Sequence, residues 1–300
     1  MYNHIPVLLN ESIESLNINP GGIYIDGTLG GGGHSRAILS KLTTGRLIAI
    51  DKDEDAINNS TIHSPIFTII HDDFNNIKYI LKELDIKTID GMILDLGISS
   101  YQIDTAMRGF SYTKDGPLDM RMNKNSELTA DTIINTFTQR ELTDLFFTYG
   151  EEKHSRRIAK SICIEREKKQ IKTTMHLANI IKNSSSIMRI FMALRIKVNN
   201  ELSPLEQTIK YIIHTLNPNG RLAVITFHSL EDRIVKKTFK ELTAPCRCPR
   251  DLPVCICNKP PLINILTKKP IIPSENEIKM NQRASSAKLR VCSKREEFTP

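Results

Sequence analysis

Three aspartates, Asp26, Asp51 and Asp95, each close a short apolar run, namely Ile23 to Ile25, Arg46 to Ile50 and Gly91 to Leu94. Such runs read as buried strands. In an open parallel sheet, ligands sit beyond the carboxyl ends of the strands, so the three carboxylates converge on one crevice. Asp26 is followed by Gly27-Thr28-Leu29-Gly30-Gly31-Gly32-Gly33-His34-Ser35 and then by a helical pattern carrying Ala37, Ile38 and Leu42. Glycines are required where φ is positive or where a ligand lies against bare backbone, which places a small molecule at this loop. Carboxylates repel a pyrophosphate and suit a cation that carries a ribose. S-adenosylmethionine, with a sulfonium, an ammonium and two ribose hydroxyls, meets that description, and Asp51, about 20 residues past the loop, is placed for the ribose.

Two nucleotide fingerprints fail at the residue that carries their mechanism. Reading Gly-x-Gly-x-x-Gly from Gly30 and Gly32 puts Ser35 in the last position, and the phosphate loop needs Lys-Ser/Thr where this chain has Gly33-His34. Glycine and aspartate at strand ends also occur in α/β proteins without such a ligand, so the loop alone leaves that reading open.

The elements that position these residues alternate. A leading helix is expected over Asn10 to Leu16, and a third strand over Phe67 to Ile70, ending in His71-Asp72-Asp73-Phe74. At that end Phe74 either packs against an adenine, with Asp72 or Asp73 accepting from its amine, or belongs to the core. The fourth strand leads into the polar loop Asp95-Leu96-Gly97-Ile98-Ser99-Ser100-Tyr101-Gln102. From Ile103 to about Asn199 the alternation stops, which reads as an inserted helical unit. Its start, Arg108 to Met122, has no period and many turn formers, and is expected as a loop over the crevice. Thr138-Gln139-Arg140-Glu141 is a capping box for a helix with Leu142, Leu145, Phe146 and Tyr149 on one stripe and Gly150 as its stop. A basic helix with Arg156, Arg157, Lys160 and Arg166 follows, then a short one with Leu177, Ile180 and Ile181. Ser203-Pro204-Leu205-Glu206 opens a further helix by the same capping logic. Asn219-Gly220 should turn the chain into a strand over Leu222 to Phe227, with brief later strands at Ile263 to Leu266 and Leu289 to Val291, one of them at the sheet edge.

With 300 residues, 40% hydrophobic and 25% charged, the chain suits one large or two small globular domains. It holds no apolar run of roughly 18 residues and begins without a basic region and apolar core, so neither a membrane span nor a secretory signal is expected. The net charge of +7 is uneven. Residues 1–102 hold 7 Lys and Arg against 13 Asp and Glu, residues 103–200 hold 17 against 11, and residues 228–300 hold 15 against 8. An acidic cofactor part with basic remaining parts suits a protein that holds a cation in one place and a nucleic-acid backbone in another, although basic helix faces are also ordinary solvated surfaces. Six cysteines without a signal point to reduced thiols and a cytoplasmic location. Cys246, Cys248, Cys255 and Cys257 form two pairs whose one-residue spacing is tighter than the usual spacing of roughly two to four in zinc sites, so a thiol-rich loop is the default and no metal is assigned.

Five stretches together resemble a known family. His4 to Glu11, Asp26 to Ser35, Leu94 to Ser100, Asp115 to Met122 and Phe227 to Arg233 are similar to the bacterial 16S ribosomal RNA cytosine-N4 methyltransferases, the RsmH or MraW family. The resemblance runs from about His4 to Val291. It implies an α/β class I (Rossmann-like) S-adenosylmethionine-dependent methyltransferase sheet with an inserted helical domain. The corresponding boundaries are 1–102 for the first part of the methyltransferase domain, 103–199 for the insertion on the substrate side, and 200–300 for the remainder with its basic Cys/Pro-rich tail. It also implies cofactor contacts at Gly32, Gly33, His34, Asp51, Phe74, Asp95 and Gln102. His34 and Gln102 rest on the resemblance alone; their residue types in these positions read as a helix start and a solvated loop. The chain departs from the family where Pro-Ala-Thr-Arg and Phe-Gln-Ala-Leu-Arg-Ile are usual, carrying Ser185-Ser186-Ile187-Met188-Arg189 and Phe191-Met192-Ala193-Leu194-Arg195-Ile196.

The implied reaction is methylation of a cytosine N4 amine in the decoding region of 16S ribosomal RNA within the small subunit. That nitrogen's lone pair is delocalised into the ring, so an acceptor must orient the amine, and Asp95 is the candidate; the alternative is that it contacts the cofactor only. The base must be unstacked or single-stranded, which makes Arg108, Asp119 and Arg121 candidates for a substrate loop. A non-catalytic RNA-binding or assembly protein that keeps the cofactor fold, a small-molecule methyltransferase and a Rossmann dehydrogenase are the competing readings.

Overall fold

The computed structural model describes residues 6–245 and 260–296. His4, Ile5 and the four clustered cysteines lie outside the described residues. The chain divides into two compact units, one formed by Met1–Gly97 with Leu202–Pro300 and the other by Ile98–Glu201.

The first unit is built on a seven-stranded sheet: β1 (Ile23–Asp26), β2 (Arg46–Asp51), β3 (Phe67–His71), β4 (Ile89–Asp95), β5 (Leu216–Thr226), β6 (Ile263–Ile265) and β7 (Lys288–Lys294). Their order is β3-β2-β1-β4-β5-β7-β6. The first five are parallel, whereas β7 runs antiparallel to β5, and β6 antiparallel to β7. This is a mostly parallel α/β sheet with an antiparallel strand inserted next to its edge. The chain steps outward through β1, β2 and β3, then returns to place β4 on the other side of β1, so the order reverses between β1 and β4, where such sheets take their ligands.

Both faces of the sheet are covered, and the period of two sorts the strand residues between them. Ile25, Ile48, Ile50, Met92, Leu94, Leu222 and Val224 pack with residues of the Ile77–Glu83, Leu205–Thr215 and Ser229–Thr243 helices. Tyr24, Leu47, Ile93, Ala223 and Ile225 pack on the opposite face with Leu16 and Ile38. Asp26, Asp51 and Asp95 stand two or four positions after Tyr24, Leu47 and Ile93, so alternation carries all three carboxylates onto the face of the Gly33–Leu39 helix.

Of three local features, the first and the last differ from the sequence reading, while the late strands meet it, with β6 at the sheet edge. Asn219-Gly220 is not a turn ahead of a strand; β5 begins at Leu216 and passes through it as an irregularity between the Ile89 and Gly91 pairings, with Asn219 at φ 65°. Both late strand candidates join the sheet, β7 lying between β5 and β6. The Leu205–Thr215 helix starts after Pro204 with no side-chain cap, and Glu206 pairs instead with Lys210 one turn on.

The second unit packs the helices Ala130–Thr136, Gln139–Gly150, Ser155–Lys168, Thr174–Ile181 and Ser184–Asn199 around Phe146, Ile133, Ile162, Leu177 and Leu194, all fully buried. Thr138 and Glu141 form the expected capping box. Glu152 is fully buried, accepts the His154 N–H and pairs with Arg189 at 3.2 Å. Of the two departures from the family pattern, Met188 is exposed and Met192 half-buried on the Ser184–Asn199 helix.

Candidate active site

The glycine loop between β1 and the Gly33–Leu39 helix is tied to the aspartates on either side. Asp26 is almost fully buried; its Oδ1 accepts the Thr28 N–H at 3.1 Å and its Oδ2 the Ser35 hydroxyl at 2.6 Å. Burial raises its pKa from the ordinary carboxylate value, while His34 and the Ser35 hydroxyl work in the other direction. Ser35, the residue that defeats the dinucleotide fingerprint, thus holds the first aspartate in place.

Asp51 accepts the Gly30 N–H at 2.8 Å and the Asp53 N–H at 2.9 Å, one on each oxygen, so it fixes the loop from the end of β2. Each oxygen keeps acceptor capacity. Burial pushes its pKa up to about 6 against those two bonds. Gly32 precedes the helix at φ 74°, a left-handed conformation that a side chain disfavours. A Cβ on Gly33 would lie 2.1 Å from the Pro6 Cγ, which explains a bare backbone there as packing against the leading segment.

Asp95 is held by its backbone, whose N–H donates to the Thr28 Oγ1 at 2.7 Å. Its Oδ1 is buried without a hydrogen-bond partner, and its Oδ2 lies 3.8 Å from the His34 Nδ1, outside hydrogen-bonding range. Burial again pushes the pKa up to about 6, with His34 opposing and Asp26 and Glu231 adding to the rise. His34 is buried, and its Nε2 is 3.2 Å from the Val7 carbonyl, an acceptor, so Nε2 carries the proton. Phe74 is half-buried, opens a short 3-10 turn capped by Asp73 and packs against the core cluster under β1 and β4. Asp72 and Asp73 spend their carboxylates on Asn76, on Asn75 and on Lys52.

At the end of β5 the chain forms a further anchored group. His228 caps the Ser229–Thr243 helix in a capping box with Glu231, whose Oε2 accepts the backbone N–H groups of Phe227 at 2.9 Å and His228 at 3.3 Å. Glu231 is almost fully buried, and its charge adds to the rise at Asp95. Asp232 accepts from Arg290 of β7 at 2.6 Å; burial opposes its charge, but Arg290 and Lys288 hold its pKa below the usual range.

The remaining candidates belong to the second unit. Gln102 is buried rather than a solvated loop residue, because Ser99 to Gln102 form a capping box that opens the Ser100–Asp104 helix; its Oε1 accepts the Ser99 N–H at 3.0 Å. Arg108 is buried and donates to the carbonyls of Arg121 and Met122 at 2.9 and 3.0 Å. Asp119 takes a two-pronged bond from Arg121, at 2.9 and 2.7 Å, and Arg121 also reaches the Lys124 and Ser126 carbonyls. These three side chains brace the irregular segment to which they belong.

Within the first unit, then, Gly32, Gly33, His34, Asp51, Phe74 and Asp95 fall at or just beyond the carboxyl ends of β1 to β4. Thr28, Ser35 and the His228–Glu231 pair, which residue types did not single out, stand beside them. The spacing of His228 and Glu231 is that of a capping box, a signal hidden because His replaces the usual Ser or Thr.

The family model described as "MraW methylase family" matches residues 1–295. A protein of Clostridium botulinum (strain Loch Maree / Type A3) named "Ribosomal RNA small subunit methyltransferase H" is 50% identical over 306 residues, covering 98% of this chain and 99% of its own. Proteins of the same name from Halothermothrix orenii and Carboxydothermus hydrogenoformans are 48% and 45% identical, each covering 98% of its own length and 97% and 98% of this chain. With the match spanning nearly every residue, this chain belongs to the MraW methylase family.

Proposed function

We propose that the protein methylates the exocyclic N4 amine of a cytosine in 16S ribosomal RNA, in the decoding region of the small subunit, with S-adenosylmethionine as the donor. Family membership and the name shared by its relatives support the RNA substrate, and the five motif stretches support the cytosine amine. The observation that carries the chemistry is the buried, unpartnered Oδ1 of Asp95 at the strand-order reversal.

The donor supplies a methyl group on a positively charged sulfur. Asp51 would hold its ribose hydroxyls through the acceptor capacity left on each oxygen, Phe74 would flank its adenine, and Gly32 and Gly33 would let it approach the backbone. His34 and Gln102 are the remaining contacts assigned through the family. The free Oδ1 of Asp95 accepts an N–H of the target amine, turning its nitrogen toward the methyl group and stabilising the charge that the nitrogen gains. Among the described residues no helix is long and apolar enough to cross a membrane; with a ribosomal substrate, the protein works in the cytoplasm.

The test is transfer of labelled methyl from S-adenosylmethionine to small subunits from cells lacking this gene, followed by mass mapping of the RNA. N4-methylcytidine at a single position is expected. Cofactor binding without transfer leaves a non-catalytic RNA-binding protein, and transfer to any other atom overturns the reading.

A further inference from the structure

Three side chains among the described residues bury a polar atom without a hydrogen-bond partner, and two of them stand near the ends of neighbouring strands, Asp95 at the end of β4 and His228 just past the end of β5. Asp95 pairs in register with Ile225 of β5, the Leu96 N–H donates to the Ile225 carbonyl at 3.0 Å, and His228 follows the last residue of that strand, Thr226, after Phe227. A Cβ on Gly97 would meet the Phe227 ring at 3.4 Å, so the two chain segments run against each other beyond the sheet.

The orphan at His228 has a definite polarity. Its side chain is 8% exposed, and its Nδ1 accepts the Glu231 backbone N–H at 3.4 Å, so the neutral ring carries its proton on Nε2. That nitrogen lies 3.1 Å from the Glu231 Oε1 without forming a hydrogen bond to it. Glu231 is fixed in turn by the Phe227 and His228 backbone N–H groups, so the ring is clamped at its base. A clamped, unsatisfied N–H costs stability, as does the unsatisfied carboxylate oxygen on the neighbouring strand.

One acceptor and one donor left unpaired at one edge match one side of one base. The Watson–Crick edge of cytosine offers an amine N–H beside the ring N3 lone pair, whereas uracil reverses the order, with an oxygen acceptor beside an N–H. We propose that His228 is the second reading residue for the target base: its Nε2–H donates to cytosine N3 while the Asp95 Oδ1 accepts from the N4 amine. This inference rests on the function proposed above and names the residue that selects the base. No proton leaves His228 in this role; it orients the ring and rejects a base whose N3 bears hydrogen.

The experiment compares wild type, His228→Ser and His228→Asn in single-turnover methylation of small subunits, with cofactor affinity measured by calorimetry. Serine is a good helix cap but too short to reach the base; asparagine caps equally well and keeps an N–H donor. His228→Ser should bind S-adenosylmethionine within about twofold of wild type and methylate about tenfold or more slowly, the loss of one hydrogen bond to a buried group, with His228→Asn recovering part of the rate. Subunits reconstituted with 3-deazacytidine at the mapped position lack the N3 acceptor. Wild type should slow on them by a similar factor, and His228→Ser should slow no further. A wild type indifferent to the deaza base, losses that multiply, a full-speed His228→Ser or one that has lost the cofactor would each overturn the assignment. The deaza comparison on wild type alone decides even where a variant does not fold. Wild type that fails on ordinary cytosine subunits overturns the proposed function itself, which separates the two failures.

Discussion

The three aspartates share a fold position but not a task. Asp26 has both oxygens engaged by the loop, Asp51 has one backbone bond on each, and Asp95 has one oxygen with nothing. Asp95→Asn keeps the shape and removes the charge. If the carboxylate orients the amine, turnover should fall about a hundredfold with cofactor affinity changed by less than about threefold, in the range expected for one positioned polar group. Calorimetry beside single-turnover rates checks this, and a loss confined to binding would make Asp95 a cofactor ligand only. The same carboxylates predict a pH dependence. Asp51 and Asp95 have folded pKa values of about 6, above the range of an unfolded aspartate, because burial disfavours their charge. Their stabilising contribution is therefore complete below the unfolded pKa and lost as pH rises through about 6. A bound cation reverses that penalty. The rise in Tm on adding S-adenosylmethionine should grow from pH 5 to pH 7.5, and its affinity should weaken by about tenfold or more at pH 5. Equal shifts at both pH values would show that the two groups are ionised throughout. Asp26, Asp51 and Asp95 were legible in the sequence because each ends an apolar run. His228 was not, since a histidine that caps a helix looks like any other until its partner is known.

At the scale of elements, the loop from β1 into the Gly33–Leu39 helix is set by its packing as much as by its ligand. Gly33→Ala would drive a Cβ into Pro6, so the leading segment or the helix start must move. The expected cost is about 2 kcal/mol of stability, as for other overpacking changes, with cofactor affinity reduced about tenfold. Urea denaturation and calorimetry on the one variant read both; an unchanged midpoint would mean that Pro6 yields freely. The strand, loop and helix order here was legible because glycine content and apolar period agree. The start of β5 was not. Asn219-Gly220 carries a turn signature, but Leu216 pairs with Ile89, and that tertiary pairing extends the strand backward through the signature as a bulge. The Ser203 capping box failed for a similar reason: the Leu205–Thr215 helix begins one residue later than the motif requires, and Glu206 is drawn to Lys210.

For the molecule as a whole, charge is distributed by sequence segment. Residues 1–102 carry the acidic excess, and residues 103–200 and 228–300 the basic one. Arg156, Arg157 and Lys160 on the Ser155–Lys168 helix are exposed. Binding to small subunits should weaken by about tenfold or more between 50 and 200 mM salt, whereas cofactor binding, which rests on buried groups, should change little. Filter binding and calorimetry across that range check the contrast; equal salt slopes would assign the basic excess to plain solubility. The asymmetry was legible in the sequence, while the paired bracing of Asp119 with Arg121 was not, since it depends on how the irregular segment folds back. The sheet has one further property. β5 lies between β4 and β7, and β7 is supplied by residues 288–294, more than sixty positions after β5 ends. A nascent chain must therefore wait with one side of an interior strand, apolar from Leu222 to Ile225, unzipped until those late codons are read. A premature stop before Lys288 should yield sticky, insoluble product rather than a weakened enzyme, which makes the tail of the gene a quality checkpoint for translation.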